Sequence, residues 1–321
     1  MSARRSAFPA GAGDPGVPGI PADRTGVIHD IGYRRYDGPR LGRAGILRAL
    51  AWHSLRSAVG LGRGAKAKII PVLALVLLCL PAVANAVSMA GGGSRVISYD
   101  TYVFPLRVFV MIIFIAAQAP ELVSRDLRSH VLPLYFSRPL GRLDYPLAKL
   151  AAFILACLAL LDIPLLLLYL GTIAQAHSGA AVWAETRALL PGLAVGLLWA
   201  ALLGTIGLLL ASLSGRRAYA TGSIAIYFFL SWVLATVLHS VVTGRAPLTG
   251  GTGGATAGAR LTGLVSPFTT LDGVRRWLGG TSSGPVPPPG GYGPLYGAML
   301  LALLLAAAGG LARRYRKAAG A

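Results

Sequence analysis

Two ionisable side chains stand inside long apolar runs: Arg107 in the run from about Tyr102 to Glu121, and Asp162 in the run from about Pro146 to Ala174. A charge within a bilayer pairs with another charge, lines a cavity or reaches for the surface. The two lie about 6 and about 10 residues from the same side of the membrane, a depth difference of roughly 6 Å at helical rise, which an arginine spans. Arg107 and Asp162 are therefore a candidate intramembrane polar pair, either lining a path or bracing two helices. A second group follows the Arg107 run. Glu121 and Arg125 have the i,i+4 spacing that supports a helix, and the connection then carries Leu132, Leu134, Tyr135, Phe136 and Leu140 among Arg138, Arg142 and Lys149. So apolar a connection either packs back on its own helices or docks into a partner. Covalent chemistry has no candidate centre. The five histidines are scattered, and Cys79 and Cys157 sit far apart in apolar runs. There is no metal-ligand spacing, no G-x-x-x-x-G-K-[ST], no H-E-x-x-H and no G-x-S-x-G.

The elements that position these residues follow from composition. The chain has 321 residues, of which 55% are hydrophobic and 13% charged. A soluble domain carries about 25% charged residues, so a water-soluble enzyme is excluded, and so is dominant disorder. A spanning helix needs about 20 mostly apolar residues, and six stretches qualify. They run from about Ile69 to Val87, Tyr102 to Glu121, Pro146 to Ala174, between Arg187 and Arg216, from Ala218 to about Val242, and from about Leu295 to Ala312. The fold class expected is an all-α integral membrane protein. Internal Pro81, Pro164, Gly204 and Gly207 are tolerated there because neighbouring helices resatisfy the backbone. Gly196 with Gly204 offers a surface for close helix approach.

Charge sets the expected orientation. The formal net charge is +19. It lies between apolar runs, which points to a membrane face rather than to nucleic acid. With six spans, 23 of the 30 Lys and Arg fall on one side. The other side holds Arg95, Arg107, Arg187, Arg245, Arg260, Arg275 and Arg276. By the positive-inside rule both termini are cytoplasmic, which needs an even number of spans and retains the weak one at Arg107. Residues 1–28, rich in Pro, Gly and Arg without an apolar core, are expected to be a disordered cytoplasmic tail and not a signal peptide. Residues 29–68 form a lead-in. Within it, Ile46, Leu47, Leu50, Leu55 and Val59 recur at helical spacing between arginines, the pattern of an amphipathic helix on the membrane surface. Residues 69–312 make the six-span domain and 313–321 a basic cytoplasmic tail. The external loop 243–294 has flexible ends, and Leu264–Leu278 is expected to form short helices dipping into the outer interface.

The connection after the second span carries a family resemblance. It reads Glu121, Arg125, Asp126, then Leu134-Tyr135-Phe136, Ser137-Arg138-Pro139, Arg142, Asp144-Tyr145 and Lys149. The lead-in reads Gly32-Tyr33-Arg34-Arg35-Tyr36-Asp37-Gly38-Pro39-Arg40. Together with six spans and inward termini, these resemble the permease subunit of bacterial type-2 ABC (ABC-2) exporters over about Ile31 to Lys317. Ser129-His130-Val131 departs from the Gly-Thr-like step of many members. The resemblance implies a permease dimer, homo- or heteromeric, in the bacterial plasma membrane, bound to two copies of a separate ATPase subunit. ATP and Mg would sit on that partner, and this chain would bind no cofactor and catalyse no reaction. Residues 121–149 would be the coupling loop, with Glu121, Arg125, Tyr135, Phe136, Arg138 and Arg142 making the contact. A secondary transporter driven by an ion gradient through Asp162 is the alternative, and an internal repeat, which would favour it, is not visible.

Overall fold

In the computed structural model, which describes residues 38, 42–95, 97–99, 102, 104–128, 141, 143–244, 256–280 and 289–318, every regular element among those residues is a helix. The first, α1 (Arg43–Ala58), buries Leu50, Ser54 and Ala58, one residue per turn along a single stripe. The amphipathic spacing read from the sequence is thus used against protein, while Trp52 on another face is exposed. Gly60 and Gly62, both at positive φ, turn the chain into α2 (Ala65–Ala90). Gly60 is obligatory in this turn: a Cβ there would lie 2.6 Å from the Ala67 carbonyl oxygen.

Five further long helices follow: α3 (Phe104–Arg128), α4 (Asp144–Ile173), α5 (Gly179–Leu213), α6 (Arg217–Thr243) and, after a break, α9 (Gly293–Ala318). Among the described residues, six helices are long and apolar enough to span a bilayer, matching the six stretches expected. Their apolar cores agree with expectation; α5 begins earlier and takes in Glu185 and Arg187. Of the six, α3 is the most enclosed, with 78% of its apolar window buried against 22–56% in the others. It packs against α2, α5 and α6. This explains why a span interrupted by Arg107 is tolerated: its neighbours are protein rather than lipid. The α4–α5 hairpin is held by small residues, since association in a bilayer depends on close packing more than on apolar burial. Gly196 faces Asp162, Gly204 faces Phe153 and Ile154, and Gly207 faces Ile115 of α3.

Two non-spanning segments enter the bundle from the same end. After α2, Ile97 N–H donates to Asn85 Oδ1 (3.2 Å), and Tyr102 Oη donates to the Leu78 carbonyl (2.5 Å). Leu78 lies twelve residues before the end of α2, about 18 Å deep at helical rise. The second segment comprises α7 (Ala257–Leu261), a 3-10 turn (Thr262–Val265) and α8 (Pro267–Trp277). It descends beside α6. Thr262 Oγ1 meets His239 Nδ1 at 3.4 Å, Ser266 Oγ meets Ser231 at 3.5 Å, and the Phe268 ring packs 5.6 Å from Phe228. Helix α8 then returns toward Trp277. Phe268, Leu271 and Val274 are buried, and Phe268 also touches Trp199. Trp199 is twenty residues into α5, about 30 Å along its axis. The segment therefore penetrates the bundle instead of lying on its outer surface, and Leu278 is exposed. Irregular backbone at such depth is stable only where protein encloses it.

Candidate functional site

Polar side chains gather at the two ends of the bundle. At the end that joins α3 to α4, three acids are each held by cations from other elements. Glu121, two turns before the end of α3, pairs with Arg63 of the α1–α2 turn (2.5 Å) and with Arg217 at the start of α6. Asp126 accepts from the Tyr145 hydroxyl and pairs with Lys149 at 2.9 Å, both on α4. Lys149 lies over the Tyr145 ring, which in turn packs 5.5 Å from the Tyr315 ring of α9. Asp144 is gripped in a two-point fork by Arg43 of α1, at 2.6 and 2.7 Å, and accepts from Gly141 N–H. That fork raises the pKa of Arg43, through its hydrogen bond and then its charge contact with Asp144. Arg314 Nε donates to the Ser212 carbonyl at the end of α5, and Ser124 Oγ donates to Ala211.

The last turns of α3 and the first turn of α4 are thus tied to α1, α6 and α9. Chemically this is a mechanical fixture. The Glu121 and Lys149 side chains are only 8% exposed, and breaking a buried pair leaves an uncompensated charge. Displacing the chain between α3 and α4 must pull on several helices at once. Glu121 is the one expected coupling residue whose side chain is described. Tyr135, Phe136, Arg138 and Arg142 lie outside the described residues, as does the Arg125 side chain, residues 1–28 and most of the lead-in before α1. Asp126, Asp144, Tyr145 and Lys149, which belonged to the sequence pattern, join Glu121 in the fixture. Arg43, Arg63, Arg217 and Tyr315 were not singled out; they come from distant segments, and only the fold brings them here.

The opposite end contains the other expected pair. Arg107 and Asp162 are near enough to interact electrostatically, but they form no ion pair within 4 Å among the described residues. The Arg107 guanidinium lies over the Trp199 ring at 5.2 Å, a cation–π arrangement. Asp162 rests against Gly196, where any side chain would overlap its carboxylate. Nearby, Arg95 Nη1 donates to both carboxylate oxygens of Glu185, at 2.9 and 3.1 Å, and the guanidinium stacks 4.2 Å over the Tyr99 ring. Tyr99 Oη donates to Glu185 at 2.9 Å and shares a 2.8 Å hydrogen bond with Thr172. Burial pushes the phenols of Tyr99 and Tyr102 up to about 12. On α8, Asp272 lies between Arg275 (2.8 Å) and Arg276 (2.5 Å). Burial raises the Asp272 carboxyl against the pull of both arginines and lowers Arg276. Among the described residues no cluster of His, Cys, Asp or Glu is placed to hold a metal ion.

No family model matches the chain, and no curated protein matches it in sequence.

Proposed function

We propose that this chain is the membrane-spanning permease subunit of an ATP-driven exporter of the ABC-2 type, working as a dimer in a bacterial plasma membrane with its termini in the cytoplasm. Two copies of a separate ATPase subunit would drive it, with ATP and Mg bound there. The observation that carries this reading is the charged fixture at the base of α3 and α4. It locks both flanks of the apolar, arginine-bearing connection 129–142 to three other helices. A partner seated on that connection would move α3 and α4 together with α1, α6 and α9. Bistable packing of helices turns such a movement into alternating access. In the same reading α1 lies along the inner membrane surface, with exposed Trp52 at headgroup depth. The segment from Leu264 to Leu278 would correspond to the short outer helices that precede the last span in that family.

The test is co-purification. The tagged chain is extracted from its native membrane in mild detergent, and its companions are identified by mass spectrometry. A stoichiometric P-loop ATPase, lost from Phe136→Ala and Arg138→Glu chains that still fold, is the expected result. A chain that stays alone and moves solute in response to an ion gradient would replace this reading with a secondary transporter. Asp162 supports that second reading, since its Oδ1 is buried without a hydrogen bond.

A further inference from the structure

Two charged side chains within the spans keep polar atoms that no protein group satisfies. Arg107 of α3 is 4% exposed, and its Nε and Nη2 are buried without a hydrogen-bond partner. Asp162 of α4 has its Oδ1 buried in the same condition. At bilayer depth no lipid group replaces the lost hydration, so such atoms are costly to leave unmet. The Trp199 ring takes one face of the guanidinium, but that is attraction to its charge and leaves the N–H groups without an acceptor. Helix α5 sets the distance between the two groups. The Asp162 carboxylate occupies the space that a Cβ on Gly196 would take, and the Arg107 guanidinium lies 5.2 Å from the Trp199 ring. Gly196 and Trp199 are three residues apart on one face of α5, about 4.5 Å along its axis. The two charges are therefore neighbours, within electrostatic reach, yet they form no ion pair. One water, with a hydrogen bond of about 2.8 Å on each side, spans about 4.5 Å. We propose that a single buried water sits between them, accepting from Arg107 and donating to Asp162 Oδ1.

Other occupants fit less well. A cation would meet the Arg107 charge. An anion touching Arg107 would stand close to the Asp162 carboxylate, two like charges in a medium that screens them poorly. Water is neutral and supplies both a donor and an acceptor. Arg107 Nε, Arg107 Nη2 and Asp162 Oδ1 are three partners for it, and a buried water takes about two to four. The bridge also has a place in the fold. Helix α3 carries Arg107 near its start and Glu121 of the charged fixture near its end. The water thus joins the helix that the fixture holds to the α4–α5 seam, and a water-mediated contact tolerates a small shift of α3 that a direct two-point pair would oppose. This role as a joint rests on the exporter reading; the water itself does not.

The water is sought by radiolytic hydroxyl-radical labelling of the full chain in phosphatidylcholine nanodiscs, read by mass spectrometry. Radicals formed from a bound water oxidise the side chain beside it, so an enclosed ring reports its own hydration. Trp199, 2% exposed, should be oxidised in the parent chain. Cys157, 0% exposed on α4 and the more reactive side chain, should stay unmodified. Asp162→Asn keeps an acceptor oxygen and should keep the label on Trp199. Asp162→Leu and Arg107→Leu each remove one side of the bridge and should lose it. Should the leucine chains fail to fold, Gly196→Ala, whose methyl group displaces the Asp162 carboxylate, takes their place and should lower the label. A parent chain with Trp199 unlabelled would show a dry site and overturn the water. A label that persists in these variants would come from water elsewhere and would overturn it equally. A label that falls as chloride is raised would put an anion in the water's place. The labelling needs no ATPase, so the two readings fail separately. A labelled Trp199 in a chain that purifies alone would uphold the water and remove the exporter reading with the joint. A chain that purifies with an ATPase and keeps Trp199 unlabelled would remove the water alone.

Discussion

Tyr99 shows how much a single side chain can hold together. Its hydroxyl joins α4 through Thr172 and α5 through Glu185, and its ring carries Arg95. Burial keeps its phenol protonated up to about 12, against about 10 for an exposed tyrosine. A raised value means that folding favours the neutral form. The stabilisation is intact below about pH 10 and is lost as pH rises toward the folded value. Ionisation would also set a phenolate beside the Glu185 carboxylate. The difference in tyrosinate absorbance between the parent chain and Tyr99→Phe should therefore show a midpoint near 12. A midpoint at the exposed value would mean that water reaches this hydroxyl freely. At this scale the sequence was a partial guide. Arg107 and Asp162 stood out because charge inside an apolar run is rare. Arg63, Arg217 and Tyr315 did not, because an ordinary basic or aromatic residue beside a span gives no local sign of the acid or ring it meets across the fold.

The long helices were legible because a bilayer demands a continuous apolar run of fixed length, a constraint written in local composition. The re-entrant segments were not. Leu264–Leu278 reads as a short amphipathic stretch, and whether it lies on a surface or inserts beside α6 is decided by Ser231, Phe228 and Trp199, all remote in sequence. Gly196 and Gly204 were legible as small residues, while what each admits was visible only in the structure. This yields a prediction about the α4–α5 seam. A methyl group at Gly196 falls on the Asp162 carboxylate, and overpacking a filled site costs about 1–3 kcal/mol. Gly196→Ala should lower the melting temperature in detergent, and Asp162→Ala in the same chain should recover most of that loss. Gly309→Ala is the control, because nothing lies within 4 Å of a Cβ there. Additive losses from Gly196→Ala and Asp162→Ala would mean that the two residues do not share the seam.

At the scale of the whole molecule, the placement of the two polar ends follows from one count. If all six long helices cross, the end of α3, the starts of α2 and α4 and the end of α9 share a side, and the 256–280 segment faces the other. In the proposed reading, which rests on the positive-inside rule, the first side is the cytoplasm. The assignment matters because ATP is available only there: the fixture around Glu121 can meet an ATPase only if it faces inward. Cysteine labelling decides it. Cys79 and Cys157 are first changed to serine, since both lie in spans. Ser137→Cys and Gly251→Cys are then introduced separately. A maleimide that does not cross membranes should label Gly251→Cys in intact cells and Ser137→Cys only in inverted vesicles. The reverse pattern would put the arginine-rich connection outside, where no nucleotide-driven partner could reach it, and would overturn the exporter reading. Labelling of both positions from the same side would mean an even number of crossings between them, so that one of the three long helices α4, α5 and α6 fails to cross.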